Sequence, residues 1–364
     1  MHDNPLKIPL NLPFSKGDLF QNRFQLIMQK MPDVAMAAPT IGPHAAPLLE
    51  VRDLTVNFAA ERGRVRAVAG VSFDLAPGET LGLVGESGCG KTVTAMSILR
   101  LLPMPPAEVT GAIRFQGEDL QSSPEARLRQ IRGDRIAMVF QEPMTALNPV
   151  LTIGEQVAEA LRLHRGLSHA AAWREAGLAL ARVGFPDAAR RLSQYPHQLS
   201  GGLRQRALMA MALACDPELL IADEPTTALD VTIQAQILAL LARLKAELGL
   251  AVLFITHNLG IVAQTADRVA VMYAGLIVEE APTAELFRHP DHPYTQGLLN
   301  SVPKLDFRHP PGESLSAIHG HLPAEPPSGC LFRDRCPMAH GRCLEEPPWV
   351  EVSPGHMVRC WNYV

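Results

Sequence analysis

The chain has 364 residues, 47% hydrophobic and 19% charged, with a formal net charge of −4. These values fit a globular protein with a sizeable core, and the lack of a basic excess argues against general attraction to nucleic acid. No stretch approaches the ~18 consecutive apolar residues of a membrane span, so any membrane association is expected to run through a partner.

Residues 1–47 are predicted to form a poorly ordered N-terminal extension. Charges are scattered through it, and the unbroken apolar stretch and small-residue cleavage site of a signal peptide are missing. Met31 and Met36 lie just before the organised sequence, so a later start codon is left open.

From Leu48 to about residue 290, short apolar strands alternate with helical segments. A helix is predicted from Lys91 to Leu102, and the Ala-, Leu- and Arg-rich stretch from Thr152 to Pro196 is predicted to be a helical insertion. The predicted strands are Leu48–Phe58, Val71–Leu75, Leu81–Val84, Leu219–Ala222 and Val252–Ile255. This alternation predicts an α/β fold with a largely parallel sheet.

The amino-acid composition changes near residue 290, where a stretch rich in Pro, His, Gly and Cys with little periodicity begins. We therefore predict two units after the extension. The first is a domain over 48–290, with a helical subdomain at about 152–200. The second is a small, irregular, cysteine-containing C-terminal region over 291–364.

The segment Gly85-Glu86-Ser87-Gly88-Cys89-Gly90-Lys91-Thr92 fits G-x-x-x-x-G-K-[ST] without a mismatch, between a predicted strand and a predicted helix. Glycines let backbone N–H groups face phosphate oxygens, and the following helix points its positive end at the same place. Lys91 supplies a cation, and the Thr92 hydroxyl can ligate Mg²⁺. Alone, the motif indicates only a nucleoside triphosphate site.

Two further segments carry possible chemistry. The apolar strand at 219–222 ends in Asp223, which can hold Mg²⁺ through water, and Glu224, which can polarise an attacking water. Upstream, Ser200-Gly201-Gly202 before a helix can form a second anion site. Each segment alone also fits a structural role, as a strand end and as a helix N-cap.

Together, and in this order, these segments resemble an ABC ATPase from about residue 48 to 286. Leu199–Arg206 is similar to the family signature, and Glu224–Asp230 to the segment that joins the catalytic acid to the D-loop. Gln141 matches the Q-loop and His257 the switch histidine. Leu203 departs from the glutamine of many members, without implying lost activity.

The resemblance implies roles for individual residues. The expected nucleotide contacts are Phe58, through adenine stacking, and Gly85, Glu86, Ser87, Gly88, Cys89, Gly90, Lys91, Thr92 and Thr94. The expected catalytic residues are Glu224, His257, Gln141 and Lys91, and the expected Mg²⁺ ligands are Thr92, Gln141 and Asp223. Ser200, Gly201, Gly202 and Asp230 are expected to serve ATP held mainly by a second ATPase subunit facing head to tail.

Residues 141–156 (QEPMTALNPVLTIGEQ), the run HPYT at 292–295 and the cysteine-bearing end resemble the peptide/nickel importer branch. This branch implies a second, related ATPase, two transmembrane permease subunits and, indirectly, a solute-binding protein, but no nucleic acid. It implies a peripheral location on the cytoplasmic face of the inner membrane. Gln156 and Glu155 are expected at the permease contact. Peptides are the expected cargo, with nickel, opines or other solutes as alternatives.

Three other classes of protein fit the sequence less well. Soluble ABC ATPases of DNA repair carry long coiled coils, but the interval 92–199 has no sustained heptads. Translation-factor types have two ATPase domains, whereas this chain has one phosphate-binding loop. A non-enzymatic metal-binding regulator conflicts with the intact set of Lys91, Asp223, Glu224 and His257.

Four cysteines crowd the last 35 residues, Cys330, Cys336, Cys343 and Cys360, in the spacing C-x₅-C-x₆-C-x₁₆-C. Four thiolates are the complement of a [4Fe–4S] cluster, and the related branch is reported to carry one. Zinc is the main alternative, although its sites usually show paired C-x₂₋₄-C spacings. Disulfides and free thiols are the remaining possibilities.

Overall fold

The structure is a computed structural model that describes residues 46–60, 63–227, 229–302, 318–323 and 327–364. The predicted N-terminal extension, 1–47, lies almost wholly outside the described residues.

Strands and helices alternate along the described chain. The strands are β1 (Leu49–Ala60), β2 (Gly63–Leu75), β3 (Thr80–Val84), β4 (Ala107–Phe115), β5 (Glu118–Asp119), β6 (Ile136–Val139), β7 (Leu219–Asp223), β8 (Ala251–Thr256), β9 (Arg268–Tyr273), β10 (Leu276–Pro282), β11 (Val350–Ser353) and β12 (His356–Val358). The α-helices are α1 (Lys91–Ile98), α2 (Glu125–Ile131), α3 (Pro143–Ala146), α4 (Ile153–Arg165), α5 (His169–Arg182), α6 (Ala188–Arg191), α7 (Gly201–Leu213), α8 (Val231–Leu248), α9 (Leu259–Thr265), α10 (Thr283–Arg288) and α11 (Pro293–Ser301).

The larger sheet has the strand order β11-β12-β10-β9-β3-β8-β7-β6. Strands β6, β7, β8, β3 and β9 pair in parallel, as the βα alternation predicts. Every residue of β3, β7 and β8 is buried, because helices cover both faces of such a sheet. The carboxyl ends of β3 and β7 carry the phosphate-binding loop and the two acids, so the sheet brings these segments to one edge.

A second, antiparallel sheet has the order β2-β1-β4-β5. The C-terminal half of β2 alternates buried and half-buried residues, the pattern of a sheet with one face on the core. Leu54 and Val56 on β1 are fully buried in the same core as the inner face of the central sheet. This sheet lies beside the phosphate-binding loop, since β2 runs past Gly90.

The predicted helical insertion consists of α4, α5 and α6, and α7 follows it. Side chains cap two helices of the insertion: Thr152 caps α4 by accepting from the Glu155 N–H (3.2 Å), and Ser168 caps α5 by accepting from the Ala171 N–H (3.4 Å). The buried faces of α4, α5 and α7 form a second core together with β6 and β7. Helix α1 ends at Ile98, shorter than the predicted stretch to Leu102.

The C-terminal region contains an element that the sequence did not predict. Strands β11 and β12 form a hairpin, and β12 pairs with β10 in the register Glu279↔Val358. A buried aromatic cluster of Tyr273 on β9, Tyr294 on α11 and Phe332 joins the region to the parallel sheet, with ring centroids 4.7 to 5.4 Å apart. The region therefore packs directly on the core of the parallel sheet.

Candidate functional site

The loop at 85–92 leaves β3 and enters α1 through a space that admits only glycine at two positions. A Cβ on Gly85 would lie 2.1 Å from the Met272 carbonyl oxygen. A Cβ on Gly90 would lie 2.4 Å from the Ala67 carbonyl oxygen, and Gly90 has φ +107°. Steric contact with β9 and β2 thus explains both glycines.

Lys91 is 4% exposed and folds back over this loop. Its Nζ donates to the carbonyl oxygens of Gly85 (2.8 Å) and Glu86 (3.0 Å) and lies 3.8 Å from the Cys89 sulfur. Burial raises the pKa of the Cys89 thiol despite the nearby ammonium group, so it is neutral at neutral pH. Thr94 is fully buried, and its hydroxyl donates to the Gly90 carbonyl (3.0 Å), which ties the first turn of α1 to the loop.

Thr92 and Asp223 come together, although they are 131 positions apart in the sequence. Burial raises the pKa of Asp223, although the Thr92 hydroxyl beside its carboxylate acts to lower it. Asp223 is 1% exposed, and its Oδ1 has no hydrogen-bond partner. A buried carboxylate oxygen without a partner, beside a hydroxyl, fits the hard oxygen ligands that Mg²⁺ prefers.

Glu224 is the centre of a second group of side chains. Its Oε2 accepts from Gln141 Nε2 (3.1 Å) and from the Thr227 hydroxyl (2.8 Å), and its Oε1 lies 3.1 Å from His257 Nδ1. The Glu224 N–H donates to the Ile255 carbonyl (2.9 Å), which anchors the residue on β8. Its φ of +45° is strained for a residue other than glycine, a feature common at active sites.

The hydrogen bonds decide the charge of Glu224. Burial alone would raise its pKa, but the bonds from His257 and Thr227 outweigh burial and hold the pKa below its usual value. The carboxylate is therefore ionised at neutral pH and can accept a proton. Gln141, predicted as both a catalytic and a Mg²⁺-binding residue, donates to Glu224 here.

The signature residues and Asp230 form a separate, exposed site at the starts of α7 and α8. The Ser200 hydroxyl caps α7 by accepting from the Leu203 N–H (3.4 Å), and Asp230 caps α8 by accepting from the Ile233 N–H (2.9 Å). A Cβ on Gly202 would lie 2.9 Å from the Ile233 side chain, so glycine lets the two helix starts pack. Ser200, Gly201 and Asp230 all face solvent.

Phe58 is half-buried on β1 and packs against the core. It pairs with Val65 on β2, two residues before the Ala67 carbonyl that contacts Gly90. Within the loop, Ser87 and Gly88 are exposed and free to face a ligand, whereas the Glu86 carboxylate is engaged by Arg335.

Sequence reasoning missed three contributors to this site. Thr227 lies inside a recognised motif, but the motif alone does not show that its hydroxyl bonds Glu224. Tyr294 accepts a hydrogen bond from the Glu86 N–H (2.9 Å), and Arg335 pairs with the Glu86 side chain. No sequence signal links Tyr294 or Arg335 to a loop more than 200 residues away.

The four C-terminal cysteines lie in one neighbourhood. The Cys330 N–H donates to the Cys343 carbonyl (3.0 Å), and burial raises the thiol pKa values of Cys330, Cys360 and Cys336, the last to about 11. No three of the four sulfurs, all within the described residues, lie within 4.8 Å of one another.

Comparison with known proteins agrees with this geometry. The family model "ABC transporter" matches residues 68–227, and the model "Oligopeptide/dipeptide transporter, C-terminal region" matches 278–343. Among solved structures, the ATP-binding cassette MJ0796, as a post-hydrolysis dimer bound to ADP and phosphate, is similar with a TM-score of 0.58 and 27% identity. That match covers 65% of this chain and 98% of the other. The fold and site are those of an ATP-binding cassette.

Two curated relatives are similar over most of their length. A probable peptide ABC transporter ATP-binding protein of Sinorhizobium fredii is 55% identical, over 88% of this chain and 96% of its own. The dipeptide transport ATP-binding protein DppD of Bacillus subtilis is 52% identical, over 86% of this chain and 94% of its own. The chain therefore belongs to the ATP-binding proteins of ABC transporters, in the group with the oligopeptide/dipeptide type of C-terminal region.

The family and fold predictions are confirmed, and with them the prediction of an ATPase coupled to transport. Among the residues that the structure describes, none of the helices is both long and apolar enough to cross a membrane.

Proposed function

We propose that this protein hydrolyses ATP at a site formed by residues 85–92, Asp223 and Glu224, and that hydrolysis powers the import of peptides. One observation carries the catalytic part: an ionised, strained Glu224, held by three side chains, follows the Asp223–Thr92 pair directly. The names of the relatives and the type of the matched C-terminal region support peptides as the cargo.

Each group has a part in this mechanism. Backbone N–H groups of the loop and the Lys91 ammonium bind the phosphates. Thr92 and Asp223 would hold Mg²⁺, which would offset negative charge on the phosphate oxygens. Glu224 accepts a proton from the attacking water, and His257 and Gln141 orient its carboxylate by hydrogen bonds from two sides.

A complete site needs a second ATPase subunit in this proposal. Ser200, Gly201 and Asp230 are exposed at two capped helix starts, where free N–H groups can meet the phosphates held by another cassette. The similarity to a dimeric cassette supports this arrangement. We propose a related but different ATPase as the partner.

We propose that the protein lies on the cytoplasmic face of the inner membrane. There the permease would dock on a patch of this chain formed by Val150, Leu151 and Tyr195. Val150 is 76% exposed, and Leu151 and Tyr195 are each 38% exposed. The Ile153 N–H donates to the Gln194 carbonyl (2.8 Å), which holds the two stretches of chain side by side. Contiguous exposed apolar side chains are typical of protein contacts.

Gln156, expected at this contact, faces inward. It is 6% exposed, and its amide bonds the Asn148 N–H (2.8 Å) and the carbonyls of Asn148 (3.0 Å) and Leu151 (3.1 Å). Gln156 therefore supports the patch from below, while half-buried Glu155 lies at its margin.

The substitution Val150→Asp tests the docking proposal. It should reduce ATPase stimulation by the permease at least tenfold and leave the basal rate of the isolated chain unchanged, because a charge would be buried in an apolar contact. Leu163→Asp, at a 73% exposed leucine near the end of α4, is the matched control. Equal stimulation of both variants would contradict the proposed patch.

We further propose that the four cysteines hold one [4Fe–4S] cluster. Four cysteine thiolates are the ligand set that such a cluster needs, and their spacing lacks the paired C-x₂₋₄-C pattern that is usual at zinc sites. Their raised thiol pKa values mean that metal binding must displace protons. Anaerobic purification should give brown protein with equal iron and sulfide, whereas colourless protein with one zinc would contradict the cluster.

Transport in vesicles tests the cargo. Reconstituted with its partner ATPase, permeases and binding protein, the chain should drive ATP-dependent uptake of labelled di- and oligopeptides, and Lys91→Ala should abolish it. Uptake of nickel or opines without peptide uptake would contradict peptide import but leave the ATPase assignment intact.

A further inference from the structure

We propose that Arg335 is a positioning residue for the nucleotide site. Arg335 lies in the cysteine-bearing C-terminal region and fixes the phosphate-binding loop through its contact with Glu86. ATP affinity therefore depends on the C-terminal region. The proposal rests on the nucleotide-binding role proposed above for residues 85–92.

The contact is a paired ion bridge between residues 249 positions apart. Arg335 Nη1 lies 2.7 Å from Glu86 Oε2, and Nη2 lies 2.9 Å from Glu86 Oε1. The Arg335 side chain is 7% exposed and that of Glu86 27% exposed. Two parallel charge-assisted hydrogen bonds in a largely shielded setting are among the stronger polar contacts in proteins.

The guanidinium group is held on its other sides by the C-terminal region and the core. Nε donates to the His319 carbonyl (2.9 Å), and Nη2 also donates to the Gly320 carbonyl (3.3 Å). The group lies 5.7 Å from the centroid of the Tyr273 ring. Five donors in a rigid planar fork make these contacts possible, and a lysine could not reproduce them.

Arg335 belongs to the turn that carries a cysteine. Its backbone N–H donates to the carbonyl of Phe332 (3.0 Å), a member of the buried aromatic cluster, and Cys336 follows it directly. The position of the guanidinium group therefore depends on how the chain folds around the cysteines.

A second tie holds the same loop residue. The Glu86 N–H donates to the hydroxyl of Tyr294, which belongs to α11 and to the same aromatic cluster (2.9 Å). Glu86 is thus fixed through both its backbone and its side chain, directly beside Gly85. A loop fixed before ATP arrives binds more tightly than a loop that populates the competent conformation only part of the time.

The test measures mant-ATP affinity of the full-length chain, and the KM and kcat for ATP of the assembled transporter. The variants are Arg335→Ala, Arg335→Lys and the control Arg333→Ala. Arg333 lies in the same turn and contacts Asp334 and the Ser328 carbonyl, away from the loop. Melting temperatures report any general loss of fold.

We expect Arg335→Ala to raise the Kd and KM for ATP about tenfold, with kcat at saturating ATP within twofold of the wild-type value. The Kd and KM of Arg335→Lys should lie between those of Arg335→Ala and the wild type. If Arg335→Ala does not fold, Arg335→Lys is used for the test in its place. Arg333→Ala should bind ATP like wild type. The proposal would be overturned if Arg335→Ala bound ATP within twofold of the wild-type affinity. It would also be overturned if Arg335→Ala and Arg333→Ala lost affinity for ATP equally.

A double-mutant comparison tests whether Arg335 acts through Glu86. In a Glu86→Gln background, Arg335→Ala should change the Kd less than twofold, whereas a full tenfold loss there would overturn the proposal. Lys91→Ala separates this test from the nucleotide site itself. If Lys91→Ala binds mant-ATP normally, the assigned phosphate site is wrong. If Lys91→Ala lowers the affinity but Arg335→Ala does not change it, the proposed effect of Arg335 on the phosphate-binding loop is wrong.

Discussion

Glu224→Gln should stop hydrolysis and spare ATP binding. The amide has nearly the same size, so the backbone anchor to β8 and the loop at 85–92 remain in place. It cannot accept a proton, and its NH₂ group cannot accept the hydrogen bonds that both carboxylate oxygens accept from Gln141, Thr227 and His257.

The expected loss of rate in Glu224→Gln follows from the role of Glu224 as the general base. Loss of a positioned general base typically costs 10²–10⁴ in rate, about 2.7–5.5 kcal/mol in the barrier. We expect at least a hundredfold lower phosphate release and a mant-ATP Kd within threefold of wild type. The loss of a hydrogen bond to an ionised acceptor should lower the free energy of unfolding by about 1.5–3 kcal/mol.

The assay is phosphate release by the assembled transporter, with size-exclusion chromatography to detect an ATP-bound dimer that accumulates. Glu247→Gln, the same chemical change at an exposed pair with Arg243, is the matched control. Turnover of Glu224→Gln within tenfold of wild type would refute the assignment of Glu224 as the base.

Two further predictions concern the histidines. His257→Ala should lower the rate of hydrolysis at least tenfold. It also removes a hydrogen bond that holds the Glu224 pKa down, so burial should raise this pKa and shift the acid limb of the pH–rate profile to higher pH. An unshifted acid limb would contradict the contact between His257 and Glu224. His356 lies 2.8 Å from Glu279, and both are buried; burial alone would lower the His356 pKa, but Glu279 raises it overall. The pair therefore stabilises the fold below the unfolded histidine pKa and loses this contribution as pH rises through the folded value. His356→Ala should cost about 3 kcal/mol and flatten the pH dependence of chemical unfolding; an unchanged pH dependence would count against the pair.

The central elements were predictable because their signals are local. The β3 run, the glycines of the loop and the apolar strand before Asp223 each lie within a few consecutive residues. The parallel sheet then brings strand ends together, so the approach of Thr92 to Asp223 follows from topology.

Contacts made by the C-terminal region were not predictable in the same way. The pairing of β12 with β10 depends on a three-residue strand that has no distinctive alternation. The contact of Arg335 with Glu86 joins residues 249 positions apart, and one arginine in an irregular stretch carries no pattern. The inward turn of Gln156 was missed because sequence shows a residue's type but not its orientation.

The C-terminal hairpin also has a consequence for solubility. Without it, β10 would present unpaired N–H and C=O groups along the side of the sheet that β12 now occupies, and such open edges recruit strands from other molecules. The hairpin replaces this seven-residue edge with β11, which has four residues. A chain cut before Val350 would therefore gain a site for intermolecular β-pairing.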